Sequence, residues 1–441
     1  MSDRQQAGQD PSPSDVWPAA NPAGLAPARL HVPEPPYRPG DEPRFARFPL
    51  PGELPRPEPT AAAEMLRPHA TGLVRALQDD ATAAGPWDPQ LPPSTLIKGL
   101  RFMVQARAYD ARLMTMQRQG RLSFYLEAKG EEAVAIAAGM ALRSDDLLFP
   151  SYRQTGLFLV RGMPPLEMMC HCIGNRRDGN RGRQMPVHYS WKKGNIVSLS
   201  SPVGTQFPQA VGAAMATAYR RETNVTVAWI GEGSSAQGDF HHGLNFASVY
   251  RPPVLLNVVN NQWAISTHCR LATGGTTFAA RADAYGIPGI RVDGNDFPAV
   301  YAVTSWAAER ARQGAGPTLI ELFTYRRGAH SSSDDPSRYR PNREGQLWPG
   351  GDPIERLAAH LTKLGVWSTA QQLELEQEAK ADSMATYKQA EQIGSFTSGP
   401  FDPPETLFED VYRQIPWHLA RQRDEIVQST MAAQDEASKA A

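Results

Sequence analysis

Apolar positions recur at helical spacing through Leu96, Leu100, Met103, Val104 and Leu113, which predicts a helix. It opens near Pro92-Pro93-Ser94, where Ser94 is placed to cap it. A second helix is predicted over 130–142, with Glu131 and Glu132 in its first turn, where the helix dipole favours acids. Short β-rich runs follow at 146–149, 225–230, 254–259 and 318–323. Helix-length segments separate them at 157–173, 206–220, 241–250 and 297–313. Such alternation predicts an α/β fold, a parallel sheet flanked by helices on both faces. From about Pro353 the pattern turns to charged amphipathic helix. Leu357, Leu361 and Leu364 make one stripe, and an Ala/Glu/Lys-rich stretch runs to about Gly394. A last segment, 407–428, includes Val411, Tyr412 and Ile415.

The beginning of the chain reads differently. Of its 39 prolines, 15 fall within the first 59 residues. Proline fixes φ and removes an amide donor, so long helix and central strand are excluded there. The stretch is either disordered or an arm laid over another surface. Leu30, Val32, Tyr37, Phe45 and Phe48, spread among the prolines, favour packing for part of it. The predicted organisation is therefore a Pro-rich N-terminal extension (1–92), an α/β domain (93–352) and a C-terminal helical segment (353–441).

Composition narrows the function classes. With 45 basic and 46 acidic residues the formal net charge is -1. No bulk attraction to nucleic acid or an anionic membrane follows. No apolar run approaches the ~20 residues needed to span a bilayer. The first residues resemble neither a secretory signal nor a transit peptide, so a cytoplasmic, bacterial protein is expected. Three cysteines, Cys170, Cys172 and Cys269, fit a reducing compartment. Cys170-His171-Cys172 lacks the paired spacing of a zinc site, and small apolar packing is the plainer reading.

The most informative stretch begins with VTVAWI followed by Gly231-Glu232-Gly233 and ends in Asn260-Asn261-Gln262-Trp263. A strand delivers Gly231 to the carboxyl edge of the sheet, where α/β proteins bind ligands. Glycines there let the backbone approach an anion, and the following helix start offers free amides. Glu232 beside a phosphate would repel it unless a cation lies between. Magnesium suits that place, since it takes hard oxygen ligands from carboxylate, phosphate and water. Asn261 supplies a second oxygen and the Trp263 carbonyl a third. Gly231, Gly233 and Ala236 also match the Gly-x-Gly-x-x-Ala dinucleotide fingerprint. That motif wants an acid at the end of the next strand to hold a ribose, and two asparagines stand there instead. A plain strand-turn-helix without a ligand is the other reading.

This stretch resembles the thiamin diphosphate motif, with Glu232 in place of the usual aspartate. Over about 120–345 the chain is similar to the alpha subunits of heterotetrameric thiamin-diphosphate-dependent 2-oxo acid dehydrogenases. GRQMPVHY at 182–189, SSPVGTQ at 200–206, AIST at 264–267, RVDGND at 291–296 and AHSSSDD at 329–335 resemble the branched-chain members. The resemblance implies the thiamin diphosphate-binding fold. It implies cofactor contacts from Tyr152, Arg153, Ser201, Val203, Gly231, Glu232, Gly233, Ser234, Asn261 and His330. Magnesium would be held by Glu232, Asn261 and the backbone oxygen of Trp263. Ser200, Pro202, Thr205 and Gln206 match a monovalent cation site, expected to take K⁺. His330 would touch the diphosphate and supply a proton during acyl transfer. Ser331 matches a serine that mitochondrial relatives phosphorylate. Val259 and Ala329 depart from the family, where arginine and a second histidine are common.

The implied activity is oxidative decarboxylation of branched-chain 2-oxo acids, 3-methyl-2-oxobutanoate among them, with transfer of the acyl group to a lipoyl-bearing acyltransferase core. The glutamate that activates the cofactor is implied to reside in a beta subunit, giving a heterotetramer of two alpha and two beta chains. An alpha subunit acting on pyruvate or acetoin would share the same cofactor residues. A non-catalytic structural subunit would lack Glu232, Asn261 and His330.

Overall fold

The computed structural model describes residues 30–395, 399 and 402–440. Most of the proline-rich start, 1–29, lies outside them. The described residues from 35 onward form one compact unit; Leu30 and Val32 before it are exposed.

Helix α1 (Pro93–Arg118) is longer than its apolar stripe suggested, and Pro92 rather than Ser94 stands at its cap, with no side-chain cap bond. Proline at the first helical position lacks an amide that would have no partner anyway. Helix α2 runs Glu132–Ala141 and leads to strand β1 (Leu147–Phe149). The single helix predicted over 157–173 is two, α3 (Thr155–Val160) and α4 (Pro165–Ile173). Gly162 at φ 79° and Pro164 break it between them. Then come α5 (Gln206–Arg220), β2 (Thr226–Gly231), α6 (Gly238–Tyr250) and β3 (Val254–Asn260).

Strand β4 (Gly289–Asp293) escaped the periodicity because only two of its five residues are aliphatic. It is followed by α7 (Phe297–Arg312) and β5 (Thr318–Phe323). The strands pair in parallel in the order β1-β2-β3-β5-β4, so every carboxyl end lies along one edge. Successive residues point to opposite faces. Val227 and Trp229 join the core under α1, α2 and α7, while Ala228 and Ile230 join a second core under α5 and α6.

Part of the expected extension is structural. Val74 bridges to Val292 and covers the open side of β4, a common protection for a sheet edge. Prolines cannot donate, but their carbonyls accept: Trp87 Nε1 donates to Pro55 O at 3.1 Å, Trp306 Nε1 to Pro57 O at 2.7 Å and Arg310 to Pro59 O at 2.7 Å. Phe45 and Phe48 pack edge-on against Trp348. The residues after 353 form α8 (Pro353–Lys363), α9 (Thr369–Ile393) and α10 (Trp417–Ala440). Arg107 of α1 binds both Glu132 at 2.6 Å and Asp352 at 2.9 Å, and Arg327 reaches Asp352 at 2.6 Å. These buried pairs tie α8 and the loop after β5 to the helices carrying the site.

Candidate functional site

The carboxyl ends of β2, β3 and β5 bring the predicted residues together. Glu232 opens a 3₁₀ turn, Glu232–Ala236, ahead of α6. Its carboxylate is buried; Oε2 accepts the backbone N–H of Asn261 at 3.4 Å, and Oε1 has no hydrogen-bond partner. Burial pushes this carboxyl up to about 7, with Glu131 adding to the rise and Arg326 opposing it. A side chain added at Gly231 would meet open space, whereas one at Gly233 would strike Ala264 Cβ at 2.5 Å. Gly231 therefore leaves room for a ligand, and Gly233 serves the packing of two loops.

The two asparagines separate in role. Asn260 donates to Glu321 at 2.8 Å within the sheet. Asn261 turns toward the site, donating Nδ2 to Glu131 at 2.8 Å and accepting Trp263 N–H through Oδ1 at 3.3 Å. Beyond it Gln262 and Ile265 take positive φ, 76° and 55°. A β-branched residue there is unusual and marks a backbone held by its surroundings. Trp263 O accepts Arg326 Nη1 at 2.6 Å, which leaves one carbonyl lone pair for a second contact.

Arg153 donates to Glu127 O at 2.5 Å and His330 O at 2.9 Å, and its Nε lies 3.6 Å from Glu131. Tyr152 meets the His330 ring edge-on, centroids 5.9 Å apart. His330 is pushed down to about 3, by burial first and then by Arg153 and Arg326. Without an anion nearby the ring is therefore neutral.

The Ser/Asp-rich loop around it is well anchored. His330 N donates to Asp334 at 2.7 Å, Arg326 Nη2 to Tyr339 O at the phenol at 2.8 Å, and Arg340 Nη1 to Arg326 O at 2.7 Å. Ser332 N donates to Tyr125 O at 2.9 Å. Ser331 is buried, its Oγ accepting Ser333 N–H.

The third cluster precedes α5. Thr205 Oγ1 lies 2.6 Å from Ser200 Oγ and 3.1 Å from Pro202 O, and Gln206 Oε1 is buried without a partner. Gly204 abuts Ser234, Gln237 and Asp239, which sets this loop against the Glu232 turn. Ser201 Oγ sits 3.3 Å from His188 Nε2, and Val203 is exposed. Cys170 and Cys172 are buried, with Cys172 Sγ 3.1 Å from the Tyr189 hydroxyl.

Two buried acids with open oxygens beside a cluster of Arg153, Arg326 and His330 make opposite demands. The acids want a cation, and the cations want an anion. A divalent cation together with a phosphate-bearing ligand would meet both. Sequence reading missed Glu131 and the reach of Arg326. Glu131 read as a helix-start acid, and Arg326 gains its contacts only through a loop crossing.

Comparisons with known proteins place the chain in a family. A model described as "Dehydrogenase E1 component" matches residues 100–397, and one described as "2-oxoisovalerate dehydrogenase E1 alpha subunit N terminal" matches 26–64. The 2-oxoisovalerate dehydrogenase subunit alpha of Pseudomonas aeruginosa is 49% identical over 407 residues, 91% of this chain and 98% of that protein. The mitochondrial human subunit of the same name is 40% identical, covering 77% and 75%. The 3-methyl-2-oxobutanoate dehydrogenase subunit alpha of Mycobacterium tuberculosis is 41% identical, covering 78% and 90%. Among the described residues no helix is long and apolar enough to cross a membrane. With the match spanning the sheet, the Glu232 turn and the His330 loop, the chain belongs to the dehydrogenase E1 component family.

Proposed function

We propose that the chain is the alpha subunit of a branched-chain 2-oxo acid dehydrogenase. It acts with a beta subunit, in a two-alpha, two-beta assembly, to decarboxylate 3-methyl-2-oxobutanoate and related acids oxidatively. The acyl group passes to a lipoyl-bearing acyltransferase. The names of its relatives, 2-oxoisovalerate and 3-methyl-2-oxobutanoate dehydrogenase subunits, support the substrate class. The observation that carries the site is the buried Glu232 carboxylate, one oxygen without a partner, just past the carboxyl end of β2.

Glu232, Asn261 and the Trp263 carbonyl would hold Mg²⁺, and Arg153, His330 and the backbone at Gly231, Gly233 and Ser234 would hold the diphosphate of thiamin diphosphate. Tyr152, Ser201 and Val203 would flank the cofactor. Ser200, Pro202, Thr205 and Gln206 would hold a potassium ion that fixes the loop before α5. When bound, thiamin diphosphate supplies the electron sink that permits loss of CO₂. The chain's own work is to neutralise the diphosphate, exclude water and present His330 to the acyl acceptor. An anion beside Arg153 and Arg326 offsets their repulsion of a proton on His330, so binding raises its basicity.

The test is decarboxylation by the chain co-expressed with its beta subunit, across pyruvate, 3-methyl-2-oxobutanoate and 4-methyl-2-oxopentanoate. The branched acids should be turned over with the higher kcat/KM. A preference for pyruvate would move the chain to the pyruvate-type alternative.

A further inference from the structure

Glu131 is the acid that the proposed machinery leaves unused. It is 2% exposed, at the cap of α2, and stands far from Glu232 in sequence. Its Oε1 accepts the side-chain amide of Asn261 at 2.8 Å and lies 3.6 Å from Arg153 Nε; its Oε2 has no hydrogen-bond partner. An asparagine amide can turn over, exchanging its oxygen and nitrogen at little cost unless its neighbours object. An ionised carboxylate only accepts, so in its ionised form Glu131 meets the NH₂. Trp263 N–H only donates and meets Oδ1 from the other side, but at 3.3 Å, a weaker hold than the one at Glu131. The two constraints select the same face of the amide.

We propose that Glu131 is a positioning residue for the metal, orienting Asn261 so that Oδ1 rather than Nδ2 is offered to the divalent cation. The proposal rests on the reading of Glu232 and Asn261 as Mg²⁺ ligands. Arg153 keeps its bonds to Glu127 O and His330 O without Glu131, so the loss falls on the amide. Groups that orient a ligand typically matter by 10- to 100-fold in metal affinity.

The experiment uses the assembled alpha–beta complex and calorimetry, without turnover. Mg²⁺ is titrated at saturating thiamin diphosphate, and thiamin diphosphate at saturating Mg²⁺. Glu131→Ala should raise the Mg²⁺ needed for half-saturation about 10- to 100-fold while the second titration moves by no more than about threefold. Glu131→Gln keeps an acceptor at the same reach and should recover most of the loss. An unchanged Mg²⁺ requirement in Glu131→Ala, equal losses in both titrations, or a Gln variant as impaired as Ala would overturn the proposal. Should the Ala variant fail to assemble, Glu131→Asp, which withdraws the acceptor by one methylene, must show a raised Mg²⁺ requirement, and an unchanged one overturns it. Glu232→Ala run in parallel separates the layers. If Glu232→Ala leaves the Mg²⁺ dependence intact, the metal reading itself fails; if only Glu131→Ala is silent, this inference alone fails.

Discussion

Glu232 concentrates the chemistry of the site in one side chain: buried, pushed up to about 7, and short of one partner. A hard cation removes that frustration, so metal and cofactor binding should be coupled through it. Glu232→Ala is expected to reduce Mg²⁺-dependent binding of thiamin diphosphate at least tenfold, measured by calorimetry on the complex. His330 is the second such residue. With its ring held between Tyr152, Arg153 and Arg326, its removal leaves the other anion contacts in place. His330→Ala should lower acyl transfer to a lipoyl domain by about 10²–10⁴, with a much smaller change in cofactor affinity. Equal losses in acyl transfer and in decarboxylation with an artificial electron acceptor, together with raised protease sensitivity over 326–340, would reduce His330 to an anchor of its loop.

At the scale of elements, the site depends on turns that touch. The Glu232 turn approaches the 263–268 hairpin so closely that Gly233 has no room for a methyl group. Gly233→Ala should destabilise by about 1–3 kcal/mol through overpacking, and adding Ala264→Gly should restore most of it in thermal unfolding. Helix α1 holds the segment before α2 through Asp110, which accepts Tyr125 O–H and Ala128 N–H, both at 2.7 Å. Burial pushes Asp110 up to about 7. Its folded value lies above the unfolded one of about 4. The stability it contributes is therefore complete below pH 4 and is lost as pH rises through 7. Asp110→Asn, which cannot ionise, should be more stable than the parent above pH 7 and lose that advantage near pH 5, read from denaturant midpoints. An advantage independent of pH would contradict the assignment.

For the whole molecule, the open carboxyl edge of one parallel sheet supplies anion and metal contacts, yet the activating glutamate is expected from another chain. The isolated alpha chain should therefore show no 2-oxo acid decarboxylation, and activity should appear on mixing with a beta subunit. Substantial turnover by the purified chain alone would refute that division. Val411 and Tyr412, and Trp417 at the start of α10, are exposed on this chain.

Local pattern was enough to determine the layers of the fold. Buried strands such as 254–259 and 318–323 are mostly apolar runs, interrupted by Asn257 and by Thr318 and Glu321, whose period differs from that of the helices beside them. Motif spacing was enough to bring Glu232 and Asn261 to adjacent strand ends, because parallel strands place their carboxyl ends on one edge by construction. Strand β4 was not legible, since an edge strand carrying Arg291 needs no continuous apolar run. The break at Gly162–Pro164 was legible in principle, but the apolar residues on both sides masked it. Glu131 looked like any acid at a helix start; only the folded chain put the cap of α2 against Asn261 at the end of β3. The depressed basicity of His330 could not be read from a lone histidine either. It comes from burial and from two arginines, one 177 residues away in the chain, and long-range electrostatics of that kind exist only once the tertiary structure has excluded water.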